Sequence, residues 1–172
     1  MRARTTLKWH GGTDMKSSYS CLLIPWLAAC GGDDAGGSPD EIEPCAIVTQ
    51  ADATELFGAV AERDQGTLVS DPDYLGDCVW TYEPPGLLGS QNVALNLWQG
   101  EAYYSPRAEA VPFQIGDGGS IYQSQSTGID IDWLQGGKTA MLSYFNVGAG
   151  VPDALTKLDE VKALALKASN RL

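Results

Sequence analysis

The residues able to do chemistry in this 172-residue sequence are few and unevenly placed. There are four cysteines, Cys21, Cys30, Cys45 and Cys78, and one histidine, His10. A thiol can be a core residue, half of a disulfide, a metal ligand or an attachment point, and its neighbours decide which. Two carboxylates, Asp130 and Asp132, stand two apart in an alternating run with Ile129, Ile131 and Trp133. On a strand they share one face at about 7 Å. They could form a pair for acid–base work, or simply a solvated face opposite the apolar one. Asp71-Pro72-Asp73-Tyr74-Leu75-Gly76-Asp77 has the acidic spacing of a calcium loop, but Tyr82 stands where a bidentate Glu is needed and Pro72 stiffens the run. An acidic turn explains it better. Gly116-Asp117-Gly118-Gly119 is followed by no Lys and no strand–turn–helix pattern, so it reads as a loop rather than a phosphate cradle.

Cys30 ends the stretch LLIPWLAAC, followed by Gly31-Gly32. Arg2, Arg4, Lys8 and Lys16 precede the apolar run, with Asp14 the one acid among them. A positive start, a short apolar run and small residues form the pattern of a secretory signal peptide. The run Cys21–Ala29 is too short to span a bilayer, which takes about 20 residues. A buried helix of a cytosolic domain fits Pro25 and the Gly-rich sequel poorly. Leu27-Ala28-Ala29-Cys30 resembles the bacterial lipobox, whose cysteine sulfur receives a diacylglyceryl group and becomes the new N-terminus. Two or three acyl chains, at about 0.8 kcal/mol per buried CH₂, anchor stably where one does not. Cys21 lacks such a run before it. Cys30 is therefore the expected lipidation site. Met15-Lys16 opens a compact signal by itself, which gives 1–14 as a mis-assigned start and 15–29 as the signal peptide.

Residues 30–44 are rich in Gly, Asp, Glu and Pro, with Ile42 the one large apolar residue, and read as a flexible acidic tether about 20 Å in reach. Gly31 follows the anchor where an Asp would resemble an inner-membrane retention signal, so an outer membrane is expected if the cell has two. Cys45 and Cys78 are then the remaining thiols, in an oxidising compartment. Two thiols without a histidine are too few for zinc, and the spacing is not that of a C-x-x-C dithiol. A structural disulfide closing a loop of roughly 34 residues is expected, at about 3–4 kcal/mol.

The elements that must position these residues lie in a single domain, 45–172. Thr49-Gln50-Ala51-Asp52 reads as a capping box, Ala53, Leu56 and Phe57 supply an apolar face, and Gly58 is a stop, which predicts a helix over 50–57. Val79–Tyr82 reads as a strand ending at the turn Pro84-Pro85-Gly86, and Asn92–Trp98 alternates. Ile129–Trp133, Gly136-Gly137 and Thr139–Phe145 predict a hairpin. Leu155, Leu158, Val161, Leu164, Ala165, Ala168 and Leu172 recur at helical steps, predicting a helix over 152–172. A short helical turn is expected near 103–110. The class is α+β: an antiparallel sheet of about six strands, with a short N-terminal and a longer C-terminal helix on one face. Most of the aromatics should be core. The run Trp98-Gln99-Gly100-Glu101-Ala102-Tyr103-Tyr104 cannot all point inward, which makes Tyr103 and Tyr104 a possible binding patch.

Pro44-Cys45-Ala46-Ile47-Val48-Thr49-Gln50-Ala51, Leu56-Phe57-Gly58, Cys78-Val79-Trp80, Val111…Gly116-Asp117 and Leu164-Ala165…Arg171-Leu172 resemble the pattern of a family of secreted bacterial lipoproteins of unknown function, common in actinobacteria. The resemblance spans 44–172 and implies structure rather than catalytic residues. Charge narrows the partners. Residues 30–172 carry seven basic against 21 acidic residues, net −14, which repels nucleic acid. A histidine-dependent triad cannot form in the mature chain that begins at Cys30, because His10 precedes it and is the one histidine of the sequence. The expectation is a lipid-anchored cell-envelope protein, non-enzymatic and without a cofactor, that binds an envelope protein or small ligand. The alternative is an envelope hydrolase acting on cell-wall material through carboxylates.

Overall fold

The computed structural model describes residues 42–66, 69–124 and 128–172. The expected start at Met15, the signal, Cys30 and the tether as far as residue 41 lie outside the described residues. Two short helices open the domain, α1 (Pro44–Ile47) and α2 (Gln50–Phe57). The strands are β1 (Glu62–Asp64), β2 (Tyr74–Tyr82), β3 (Leu88–Gln99), β4 (Val111–Phe113), β5 (Gly118–Ser124), β6 (Gly128–Gln135) and β7 (Lys138–Ala149). A 3-10 turn at Ala154–Lys157 leads into α3 (Leu158–Ser169). The sheet is antiparallel throughout, in the order β1-β2-β3-β7-β6-β5-β4.

The α+β class holds, with seven strands rather than about six. The two edge strands account for the difference. Glu62-Arg63-Asp64 is charged and exposed, and Val111-Pro112-Phe113 carries a proline. Three residues cannot show a period, and both compositions are those that blunt a sheet edge against further pairing.

Alternation sorts the sheet into two faces. Cys78, Leu95, Leu142, Ile131 and Ile121 face one another across five strands, and Trp80, Val93, Tyr144 and Ile129 form the next row. All nine are buried, and they pack against Val48, Ala53, Leu56 and Phe57 near the N-terminus and Val161, Leu164, Ala165 and Ala168 of α3. The helices thus cover one face only.

Local chemistry explains the boundaries. The Thr49 hydroxyl accepts from the Asp52 amide, and the Asp52 carboxylate accepts from the Thr49 amide, so the capping box is complete. Gly58 closes α2 in the left-handed region at φ 72°. Gly136 and Gly137, at φ 55° and 75°, make the tight β6–β7 turn that a side chain would strain. The C-terminal helix begins as a 3-10 turn because Asp153 accepts from the Leu155 amide (2.9 Å) and the Thr156 hydroxyl donates to the Asp153 carbonyl (2.7 Å). The turn expected over 103–110 is a 3-10 turn at Glu101–Tyr103, since Pro106 disfavours helix at Ser105. Cys45 and Cys78 are disulfide-bonded, tying α1 to β2. Pro44 is buried and Ile42 half-buried against the core, so the packed domain takes in the last residues of the expected tether.

Candidate functional site

The face away from the helices carries Asp77, Asn96, Met141, Asp132 and Ser120 in one row and Val79, Ala94, Ser143, Asp130 and Tyr122 in the next. The chain leaves β3 at one end of the sheet and must reach β4 at the far edge, crossing β7, β6 and β5. Residues 100–110 make that crossing over this open face. Thr139 Oγ1 donates to the Gly100 carbonyl (2.8 Å), fixing where the crossing starts. Further along, Arg107 Nη2 lies 3.0 Å from Asp130 Oδ2, and its guanidinium sits 4.4 Å from the centroid of the Tyr122 ring. A cation held by a carboxylate and an aromatic face gains from both. The connection is therefore a strap pinned to the sheet.

The strap treats the two carboxylates differently. Asp130 has Arg107 as its partner. Asp132 is pushed up to about 6, by burial first and then by the charge of Asp130, with Arg107 working the other way. Directly across on β5 stands Ser120, 5% exposed, whose Oγ has no hydrogen-bond partner among the described residues. The pair of Asp residues therefore shares one face, as strand geometry requires, but only one of the two has a neutralising neighbour.

Tyr103 and Tyr104 lie at the start of the strap, and both are half-buried. Tyr103 stacks on Trp98 at 6.0 Å between centroids. Its hydroxyl lies 3.0 Å from Asp71 Oδ1 and 3.0 Å from Asp73 Oδ2, and partial burial together with those carboxylates pushes the phenol up to about 12. The Asp71-Pro72-Asp73 turn thus holds a phenol of its own chain. Tyr104 donates its amide to the Glu101 carbonyl (3.0 Å). Among the described residues no three His, Cys, Asp or Glu side chains converge to hold a metal ion.

No family model, curated protein or solved structure matches the chain.

On the helix side a second charged cluster is structural. Asp52 is 4% exposed and bound by Arg171 and Lys167. Burial alone would raise its carboxyl, but hydrogen bonds from Arg171, Lys167 and Thr49 together outweigh burial and hold it well below the usual carboxylate range. Arg171 also donates to the Ile47 carbonyl (2.7 Å), so the C-terminus is locked to both N-terminal helices. A groove of about 220 Å³ runs between α2 and α3 over Leu56 and Leu164, with Asp52 and Lys167 in its wall. These two groups already satisfy each other.

The expected site residues are therefore spread out. Cys45 and Cys78 form the disulfide, Tyr103 ties the start of the strap to Trp98 and the Asp71–Asp73 turn with Tyr104 half-buried next to it, Asp130 and Asp132 lie beneath the strap, and Cys30 is outside the described residues. Sequence reasoning passed over Arg107 and Ser120. A lone Arg between Pro106 and Ala108 has no periodic signal, and Ser120 becomes notable only through its position opposite Asp132.

Proposed function

We propose that the chain is a lipid-anchored cell-envelope lipoprotein, of the secreted actinobacterial type that its motifs resemble, and that its domain acts without catalysis by binding an envelope protein or a small ligand. One observation carries the binding part: the sheet face opposite the helices is covered by a strap rather than by a layer, and it keeps half-buried polar and aromatic residues in register. A face kept half-apolar and pre-shaped on strands is what a recognition surface needs. The disulfide supports export, because such bonds persist in oxidising compartments. The lipobox at Cys30 supports anchorage, at an outer membrane where the cell has two.

The test places a large side chain in the middle of that face. Ser143 is half-buried between Ala94 and Asp130, so Ser143→Arg projects over the surface while facing a carboxylate. Crosslinking in intact envelopes should recover a partner with the wild type and lose it with Ser143→Arg, the melting temperature moving by only a few degrees. Ala163→Arg on the exposed side of α3 should recover it normally. Equal recovery by wild type and Ser143→Arg would remove this face from the reading.

A second reading, an envelope hydrolase working through carboxylates, draws on the raised carboxyl of Asp132, which sits in the range of a general acid. Its weakness is Asp130, which is occupied by Arg107. Release of soluble fragments from purified cell wall, lost in Asp132→Asn, would favour it over binding.

A further inference from the structure

We propose that Asp132 and Ser120 form a binding site for a protonated primary amine on the open sheet face beside the strap. The inference rests on the reading of this face as the recognition surface and names the chemistry it takes.

The face already holds one cation, supplied by its own chain. Arg107 lies between the Asp130 carboxylate and the Tyr122 ring. With both Asp residues ionised, the cluster of Asp130, Asp132 and Arg107 keeps one negative charge unmatched, and that charge belongs to Asp132. The groups around it are known from the register: Asp130 on its own strand, Ser120 and Tyr122 on β5, Met141 and Ser143 on β7, and Arg107 on the strap. None of them gives Asp132 a cation of its own. Burial and Asp130 make the bare carboxylate unfavourable, so a ligand that neutralises it binds with the whole environment in its favour.

Ser120 selects among cations. Its Oγ is buried and unpartnered, and a hydroxyl offers two acceptor lone pairs. An ammonium has three N–H donors, enough to reach both the Asp132 carboxylate and the Ser120 oxygen across the strand pair. A quaternary ammonium has none and leaves Ser120 unsatisfied, which is costly for a buried group. A divalent metal finds one free carboxylate and one hydroxyl, too few ligands. The amine can come from a small molecule or from a lysine side chain of a partner, since the recognised group is the same.

The experiment follows the Asp132 carboxyl carbon by NMR in the full chain, titrated with methylammonium, with a blocked Gly-Lys-Gly peptide and with tetramethylammonium, all at matched ionic strength. Binding of an N–H cation should move the carboxyl toward its ionised form and lower its apparent pKa. Methylammonium or the peptide should do this; both acting, or only one, identifies the carrier and supports the site. Asp132→Asn should abolish the response at the Ser120 amide, and Ser120→Ala should weaken binding by about tenfold, the worth of one charge-assisted hydrogen bond. An equal effect of tetramethylammonium, no response to either amine, or unchanged affinity in Ser120→Ala would overturn the proposal. If Asp132→Asn still recovers the envelope partner while no amine binds, this inference fails and the recognition surface stands.

Discussion

Asp132 and Asp52 show how one residue type is put to opposite uses by its surroundings. Asp52 is buried among donors and stays ionised, while Asp132 is half-buried beside another carboxylate and holds its proton to about pH 6 against an ordinary value of 3.8. The consequence for stability can be worked out in sign. Between 3.8 and about 6 the folded chain binds a proton at Asp132 that the unfolded chain has already released. Folding stability contributed by this residue therefore falls as pH rises through that window. Asp132→Asn removes the ionisation with almost no change in shape. The variant should melt at a higher temperature than the wild type above pH 6, and the difference should close as pH falls toward 3.8. Thermal melts at pH 4, 5, 6 and 7 decide this; a variant less stable than the wild type at pH 7 would mean that attraction to Arg107 outweighs burial.

At the scale of elements, the molecule depends on ties between segments distant in sequence. Cys45–Cys78 fastens α1 to β2, and Trp80 Nε1 donates to the Val48 carbonyl (2.8 Å) just beside it. Arg171 then binds the C-terminus to Ile47 and Asp52. Cys78 is 1% exposed, so Cys78→Ser loses the crosslink and also leaves a hydroxyl in the core. The expected cost is about 2–5 kcal/mol, read from denaturant midpoints of the oxidised wild type and the variant. A loss under 1 kcal/mol would show that the surrounding contacts hold α1 in place without the bond. Elements with strong local signals were legible in the sequence: the capping box of α2, the Gly136-Gly137 hairpin, and the helical steps of α3. The edge strands were not, because three residues fit any period. The strap was not legible either, since Arg107 meets Asp130 only after β3 and β4 have been placed on opposite sides of β7, β6 and β5. The candidate site was half legible on the same ground. Alternation put Asp130 and Asp132 on one face, but pairing and burial are tertiary facts.

For the whole molecule, the proposed anchor at Cys30 stands twelve residues before Ile42, where the domain begins to pack, and the segment between them contains four acidic side chains and four glycines. Charge sets what can approach. With a net −14 after Cys30, the chain should bind polyanions poorly, and its association with any basic partner should weaken as salt screens the attraction. The proposed anchorage would rest on one sulfur. If Cys30 carries the diacylglyceryl group, Cys30→Ala should leave the signal uncut or release the protein to the soluble fraction. The domain is unaffected, because its disulfide uses Cys45 and Cys78. Detergent phase partitioning of wild type and variant, with mass spectrometry of the N-terminal peptide, reads both halves of this expectation. Wild-type protein should enter the detergent phase with an N-terminal acylated cysteine, and the variant should not. A Cys30→Ala protein that still partitions into detergent after normal processing would place the anchor elsewhere in the chain.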